Sequence, residues 1–435
     1  MSRLNRGSIE RLSKRYRDPN GSNKRLTENF SLSYNSRNTK RNCNTIVLGS
    51  SGTGKTYRFI EPNLMTCENS VIVVDAKRGE LFNKYRELLK ERGFAVKVLN
   101  LIDPSNSDHY DPLRYIRKEN PEQYKDICTI EKWVCGSFKD SEDPFWDTAA
   151  KMLFLACTLC VWEETSENPQ KSFYDVLDLI DKACTVSNDG TCEADPVFNK
   201  HFEKYGESAA WKCWTNFNKS GPDVKKDLAI FLRVKMNLFE KPFVKGIFKT
   251  DDMDLSSIGE KKTAVFLIVD DTDVSLNPVI SLFYSQLFSS LLDNADYNYG
   301  GTLPVPVEVY MDEFANIPVD PLDFTLLTSV LRPRRISVSV IVQNLNQLEL
   351  VLGKYTETVI NNCDTLLYFG GAEIKTCKFI AKLASRDNDS SRDVEKTISV
   401  LQSIAKDKAI LFIRGEDPVF DYKIKKGNQI KKDKL

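Results

Sequence analysis

An α/β core on a mostly parallel sheet, interrupted by an all-α insertion, is the fold class this sequence predicts, and three observations carry it. Short β-branched runs recur, each followed by a helix-like stretch: TIVLG (45–49), VIVVD (71–75) and AVKVLNL (95–101). Continuous apolar strands alternating with helices mark a parallel sheet covered on both faces. The pattern then stops over 112–260, where helical patterns dominate. All five tryptophans (Trp133, Trp146, Trp162, Trp211, Trp214) lie there, with seven of the eleven cysteines. Finally the strand pattern resumes with TAVFLIV (263–269), VEVYMDE (307–313), SVSVIVQ (337–343), TLLYFG (365–370) and KAILFIRG (408–415).

The elements fall into order along the chain. Residues 1–41 hold eleven Lys or Arg against three acids and few apolar side chains, which predicts a flexible basic N-terminal arm. The sheet-bearing core occupies 42–111 and 261–422. The insertion at 112–260 counts 20 basic against 26 acidic residues, and its mild acidity favours a protein partner over a phosphate backbone. Residues 423–435 form a lysine-rich tail expected to fray.

Composition bounds the rest. At 435 residues the chain predicts two or three domains. An apolar fraction of 41% and a charged fraction of 28% are those of a soluble globular protein. Sixty-one basic residues balance sixty-one acidic ones, which excludes a generally basic nucleic-acid coat and a generally acidic mimic. Two histidines, His109 and His201, are too few for a histidine metal cage. The longest apolar run, Met152 to Trp162, is eleven residues, short of the ~18–20 needed to cross a bilayer, so no membrane span is expected. The N-terminus is polar and basic, without the apolar segment of a signal peptide. The cysteines are accordingly read as free thiols in a reducing cytoplasm. Cys157 and Cys160 lack a second CxxC to complete a zinc site and are read as core residues.

The sharpest motif is Gly49-Ser50-Ser51-Gly52-Thr53-Gly54-Lys55-Thr56, a complete GxxxxGK[ST] phosphate loop directly after a predicted strand. Glycines let backbone N–H groups turn inward around phosphate oxygens, and the following helix presents its positive end to the same anion. In this motif Lys55 reaches the β- and γ-phosphates and the Thr56 hydroxyl ligates Mg²⁺. A second strand must then carry an acid for the metal. VEVYMDEF supplies Asp312 for it and Glu313 to polarise the attacking water, an acidic pair suited to a hydrolytic motor ATPase. Asp75, ending VIVVD, competes with Asp312 and ranks below it. Gln343, closing SVSVIVQ, is placed to sense the γ-phosphate or orient water. The run Arg332, Arg334 and Arg335 offers an arginine for a neighbouring subunit's phosphate, with Arg414 as the second candidate.

A series of segments in fixed order extends these motifs: NTIVLGSSGTGKT with PNLM, VVDAKRGEL, NLIDPSNSDHYDPLRYI, DPFWDTA, LIVDDTD, MDEFANIP, SVSVIVQNLNQL, NNCDTLLYFGG and FIRGEDPVF. Over residues 25–430 the chain resembles the TraG-type coupling proteins of type IV secretion and conjugation, particularly those of Gram-positive conjugative elements. The resemblance implies a RecA-like, ATP- and Mg²⁺-dependent ATPase that assembles as a hexamer around single-stranded DNA. It implies that the helical insertion receives relaxase–DNA complexes, the relaxosome, and hands them to the secretion channel. By matching motif, Lys55 and Thr56 take the nucleotide and metal roles, Asp312 and Glu313 the second acidic motif, Gln343 the sensor and Arg332 the arginine finger. Two departures stand out. Family members usually begin with transmembrane helices, whereas this chain starts at a basic segment, so the anchor is expected from a separate polypeptide or from a lost or misassigned start, unless the ring is soluble. Eleven cations at about 1 kcal/mol each could also hold the chain to a bilayer surface at the inner face of the cell membrane, DNA or no partner being the arm's alternatives. Pro333 stands where the family favours a small residue, and the segment after MDEFANIP is longer.

The leading expectation is therefore an ATP-driven coupling protein that pumps single-stranded DNA toward a secretion channel. The alternative is a non-hydrolysing, nucleotide-switched docking module. A metabolic kinase is disfavoured by Glu313 and by the size of the insertion.

Overall fold

The eight predicted runs become strands of one nine-stranded sheet, whose ninth, Val419–Tyr422 at one edge, no run predicts. In the computed structural model, residues 6–119, 121–136, 144–270, 272–273, 275–385 and 391–425 are described. The strands are β1 (Asn23–Arg25), β2 (Ser31–Ser33), β3 (Thr45–Leu48), β4 (Ser70–Asp75), β5 (Ala95–Asn100), β6 (Thr263–Ile268), β7 (Val307–Met311), β8 (Ile336–Val342), β9 (Thr365–Tyr368), β10 (Lys408–Ile413) and β11 (Val419–Tyr422). The large sheet runs β11-β10-β9-β3-β8-β7-β4-β6-β5, and β1 pairs with β2 in a separate hairpin. From β9 to β6 the pairings are parallel, while β10 runs antiparallel to both its neighbours. Every residue of β3, β4, β6, β7, β8 and β9 is buried, as expected for strands covered on both faces.

Two compact units divide the chain. The sheet-bearing unit comprises Met1–Val98, Ser256–Asp271 and Leu291–Leu435, and the helical unit Leu99–Leu255 with Thr272–Ser290. The expected insertion at 112–260 is thus displaced at its start and lacks a segment. The β-branched runs stop before 112, but residues just upstream already fold with the helices. Asp111 accepts from the backbone N–H of Phe173 at 2.9 Å and of Leu113 at 3.1 Å. In the helix Asn277–Asp293, the buried Ile280, Phe283 and Leu287 serve the helical unit, an allegiance that periodicity cannot reveal.

Within the helical unit, Phe145–Glu164 is a 20-residue helix long and apolar enough to cross a membrane by length and composition. That corrects the count based on the uninterrupted apolar run, since Phe145, Ala149 and Ala150 extend it. It is 56% buried inside the protein, with Leu153, Phe154, Ala156 and Cys157 at the core, which is the behaviour of a central packing helix. Burial pushes the Cys160 thiol up to about 12, and Cys157 on the preceding turn is raised as well. Trp214 stacks on Phe198 with ring centroids 4.0 Å apart and planes 7° from parallel.

The N-terminal segment is not a flexible arm. The helix Arg6–Tyr16 seats Ile9, Leu12 and Tyr16 in the core, and the β1–β2 hairpin adds Leu26, Phe30, Leu32 and Tyr34. Lys24, counted among the arm's cations, is fully buried and pairs with the equally buried Glu308 of β7 at 2.8 Å. Ser339 Oγ donates to the same carboxylate at 2.6 Å, Ser337 also donates to it, and Lys24 Nζ reaches Thr45 Oγ1 at 3.2 Å. Asp421 of β11 accepts from Thr27 Oγ1 at 2.6 Å and from Asn29 Nδ2 at 2.8 Å, closing the hairpin onto the sheet edge. Sparse apolar residues spaced for packing were hidden beneath the charge count. The tail needs a similar correction at its start, because Lys423 and Ile424 are buried. Residues 1–5 of the arm and 426–435 of the tail lie outside the described residues.

Candidate nucleotide site

The sheet register assembles the site. Leu48 of β3 stands opposite Val342 of β8, and Met311 of β7 opposite Val340. These three adjacent parallel strands therefore release Gly49, Gln343 and Asp312 at one edge. The strand bearing Gln343 lies between the phosphate-loop strand and the acidic strand.

The loop turns as its glycines permit. Gly52 and Gly54 adopt φ of +74° and +90°, conformations that L side chains rarely take. A Cβ on Gly49 would lie 2.7 Å from Thr53 Oγ1 and 2.8 Å from Phe369 Cβ, so only glycine admits this tight start. Gly49 N–H donates to Val342 O at 3.2 Å and Ser50 N–H to Gly370 O at 3.0 Å, tying the loop to both flanking strands. Thr53 closes it with its hydroxyl on Ser50 O at 2.7 Å. Helix follows at once, a π-turn over Thr56–Ile60 continuing into Glu61–Thr66. Buried Lys55 folds over the loop, its Nζ 2.6 Å from Gly49 O. Burial lowers its pKa, opposed by the charges of Glu313 and Asp312.

Opposite the loop, Thr56 Oγ1 donates to Asp312 Oδ2 at 2.8 Å. Asp312 is buried, and burial raises its pKa, with the Glu313 charge adding and the Thr56 hydrogen bond opposing. Glu313 is half-buried with φ of +49°, a conformation rare for a non-glycine residue and costing about 1–3 kcal/mol. That turn after β7 brings its carboxylate to Gln343, whose Nε2 donates at 3.3 Å. The Gln343 backbone N–H donates to Gln347 Oε1 at 2.8 Å, steadying the strand end. Ser50, Ser51, Gly52, Thr53, Gly54, Lys55, Thr56, Asp312, Glu313 and Gln343 thus gather as expected from their motifs. A hydroxyl and a buried carboxylate in contact, beside glycine-freed amides and a lysine, form an oxygen donor set that fits a magnesium-bound polyphosphate.

Other candidates lie elsewhere. Asp75 is consumed locally, accepting from the Phe82 N–H at 2.9 Å and so capping the helix Glu80–Glu91. Arg332 is exposed in the turn Arg332–Arg334 at the start of β8, and the seven residues of that strand put it about 23 Å from the Gln343 end. It cannot reach its own chain's phosphate loop. Arg334 pairs with Asp296 at 2.6 Å, and Arg335 donates to Pro304 O at 2.8 Å. Arg414 pairs with Asp364 at 3.1 Å, ahead of β9 and away from the loop edge.

One neighbour of the loop escaped the motifs. Lys423 Nζ donates to Thr53 O at 3.1 Å across 370 residues of sequence. No spacing rule links it to the loop; its position after the last strand is the only sequence signal.

Comparison with known proteins places this geometry in context. The family model described as Type IV secretory system Conjugative DNA transfer matches residues 6–419. Protein VirD4 of Rhizobium rhizogenes is 24% identical over 352 residues, covering 78% of this chain and 48% of that protein. Protein VirD4 of Agrobacterium fabrum (strain C58 / ATCC 33970) is 25% identical over 254 residues, covering 57% of this chain and 36% of that protein. The chain thus spans no more than about half the length of these curated relatives. Among solved structures, the bacterial conjugative coupling protein TrwBdeltaN70 in its unbound form matches with a TM-score of 0.64 at 16% identity, over 96% of this chain and 92% of that one. TrwB in complex with ADP and Mg²⁺ matches with a TM-score of 0.62 at 15% identity, over 96% and 92%. VirB4 of Thermoanaerobacter pseudethanolicus matches with a TM-score of 0.56 at 15% identity, over 95% and 99%. At such identities the likeness is one of fold, a RecA-like α/β architecture carrying helical additions.

Proposed function

Since the chain belongs to the type IV secretory system conjugative DNA transfer family, we propose that it is an ATP-hydrolysing coupling protein that moves single-stranded DNA toward a secretion channel. The observation carrying this reading is the convergence of Thr56, Asp312, Glu313 and Gln343 at the ends of three adjacent strands, with Thr56 and Asp312 2.8 Å apart. The structures of TrwB with an ATP analogue and with ADP and Mg²⁺ support ATP and Mg²⁺ as the ligands.

In this reading the amides of Gly49–Thr56 and the Lys55 ammonium hold the phosphate chain. Thr56 and Asp312 would hold Mg²⁺, which when bound would supply positive charge to offset that of the phosphates. Glu313 accepts a proton from the attacking water as its oxygen bonds to the γ-phosphorus and the bond to the β–γ bridging oxygen breaks, releasing ADP and phosphate. Gln343, hydrogen-bonded to Glu313, couples the acid to the strand beside the loop. Arg332 acts on the nucleotide of an adjoining subunit, which requires an assembly such as the hexamer the resemblance implies. The helical unit receives the relaxase with its attached DNA at the cytoplasmic face of the membrane, through protein–protein contacts suited to its acidity.

Steady-state ATP hydrolysis with and without single-stranded DNA, beside light scattering, tests the proposal. DNA-stimulated turnover in an oligomer, lost in Lys55→Ala and Glu313→Gln, is the expected result. ATP turnover indifferent to DNA, with no DNA binding, overturns translocation. Nucleotide binding without turnover replaces it with the switched docking module.

A further inference from the structure

We propose that Lys423 is a positioning residue of the phosphate loop, holding the Thr53–Gly54 peptide so that its amide N–H faces the phosphate cradle. The inference rests on the nucleotide-binding reading above.

Lys423 directly follows β11 and is 2% exposed. Its backbone N–H donates to Asp407 O at 2.8 Å, which sets where the side chain begins. The ammonium lies 4.9 Å from the centre of the Phe369 ring and reaches Thr53 O at 3.1 Å. Phe369 is itself fixed to the loop strand, its N–H donating to Leu48 O at 2.7 Å.

A trans peptide is planar, so its carbonyl oxygen and the following N–H point in opposite directions. Holding Thr53 O from the side of β11 therefore aims the Gly54 N–H the other way. An external hold is needed because Gly54, at φ +90°, has no Cβ to oppose rotation of this peptide. The peptides on either side are secured from within the loop and its helix. Thr53 N–H donates to Ser50 O at 3.2 Å, and Gly54 O accepts from the Arg58 N–H at 2.8 Å. Among the described residues, Lys423 is the donor to the carbonyl between them.

The charges point the same way. Burial, with the Arg58 and Lys55 charges adding and Asp407 opposing, pushes the Lys423 ammonium down to about 8. A buried cation among cations is costly. A bound polyphosphate relieves that cost, so nucleotide binding and the seating of Lys423 reinforce each other.

The test uses the full chain and four variants, Lys423→Met, Lys423→Arg, Val419→Ala and Lys55→Ala. Fluorescent Mg-ADP is titrated by anisotropy, and hydrogen exchange of residues 50–56 is followed without nucleotide. Lys423→Met is expected to weaken Mg-ADP about tenfold and to speed loop exchange several-fold, while Lys423→Arg stays within about threefold of the parent. Val419→Ala, which loosens the same strand without touching the loop, is expected to match the parent. Unchanged affinity and exchange in Lys423→Met overturns the inference, as does an equal loss in Val419→Ala. A parent chain that binds Mg-ADP no better than Lys55→Ala overturns the nucleotide reading itself, and this inference with it.

Discussion

Strand β7 carries one carboxylate inside the sheet and leads into two more just past its end, and the structure treats them in opposite ways. Glu308 is fully buried against Lys24 at 2.8 Å, with Ser339 and Ser337 donating to the same carboxylate. Four residues on, buried Asp312 has a threonine hydroxyl and a backbone amide, and Glu313 an amide side chain at 3.3 Å, none of them a cation. The Lys55 ammonium, whose charge acts on both acids, is turned to the carbonyl of Gly49. A carboxylate closed by its counter-ion is structural. The pair at the strand end is left open, one carboxylate raised in pKa by burial and one held at a left-handed φ, and it is this pair that the proposed function assigns to metal and water.

The largest effect should come from breaking the closed pair. Lys24→Met leaves Glu308 buried and uncompensated, which should cost about 3–5 kcal/mol in denaturant unfolding. Most of that should return in the double variant with Glu308→Leu, and a harmless Lys24→Met would erase the distinction between the two sites. At the open pair, Glu313→Gln should instead lower ATP turnover about 10²–10³-fold, equivalent to about 3–4 kcal/mol on the barrier, with unfolding unaltered. A destabilised Glu313→Gln would move Glu313 into the structural class.

Asp111 lies between the extremes. It is fully buried, raised by burial from its ordinary 3.8 to about 6, and only partly compensated by Arg114 at 3.1 Å and by backbone N–H groups. The folded state holds its proton between those values while the unfolded state has released it, so stability should fall as pH rises from about 4 to about 6. The drop should approach at most about 3 kcal/mol, and Asp111→Asn should flatten it. The smallest effect on stability is expected from Glu313→Gly. Removing the left-handed strain should raise stability by about 1 kcal/mol while turnover is lost, a trade that thermal unfolding and an ATPase assay would separate.

The strand segments of the parallel sheet, the phosphate loop and the acidic pair were legible because each depends on local pattern. Continuous β-branched runs need burial on both faces, and a glycine-rich loop between strand and helix needs an anion. What stayed illegible had no local signature. Lys24 looks like any solvated lysine until Glu308 is found across the core, and the N-terminal segment's charges hid Leu26, Phe30 and Leu32, all buried. Arg332 follows the acidic motif closely in sequence, yet a strand's length carries it to the far edge.

The sequence alone therefore determined the fold class, the phosphate loop and the identity of the acids, since propensity, periodicity and loop chemistry act over a few residues. Only the tertiary structure decided which acids are open and which are closed. It also brought Gln343 to Glu313 and Lys423 to Thr53, and it assigned Thr272–Ser290 to the helical unit. Those outcomes depend on strand order and on contacts across tens to hundreds of residues, which are set when the core packs and leave no trace in spacing.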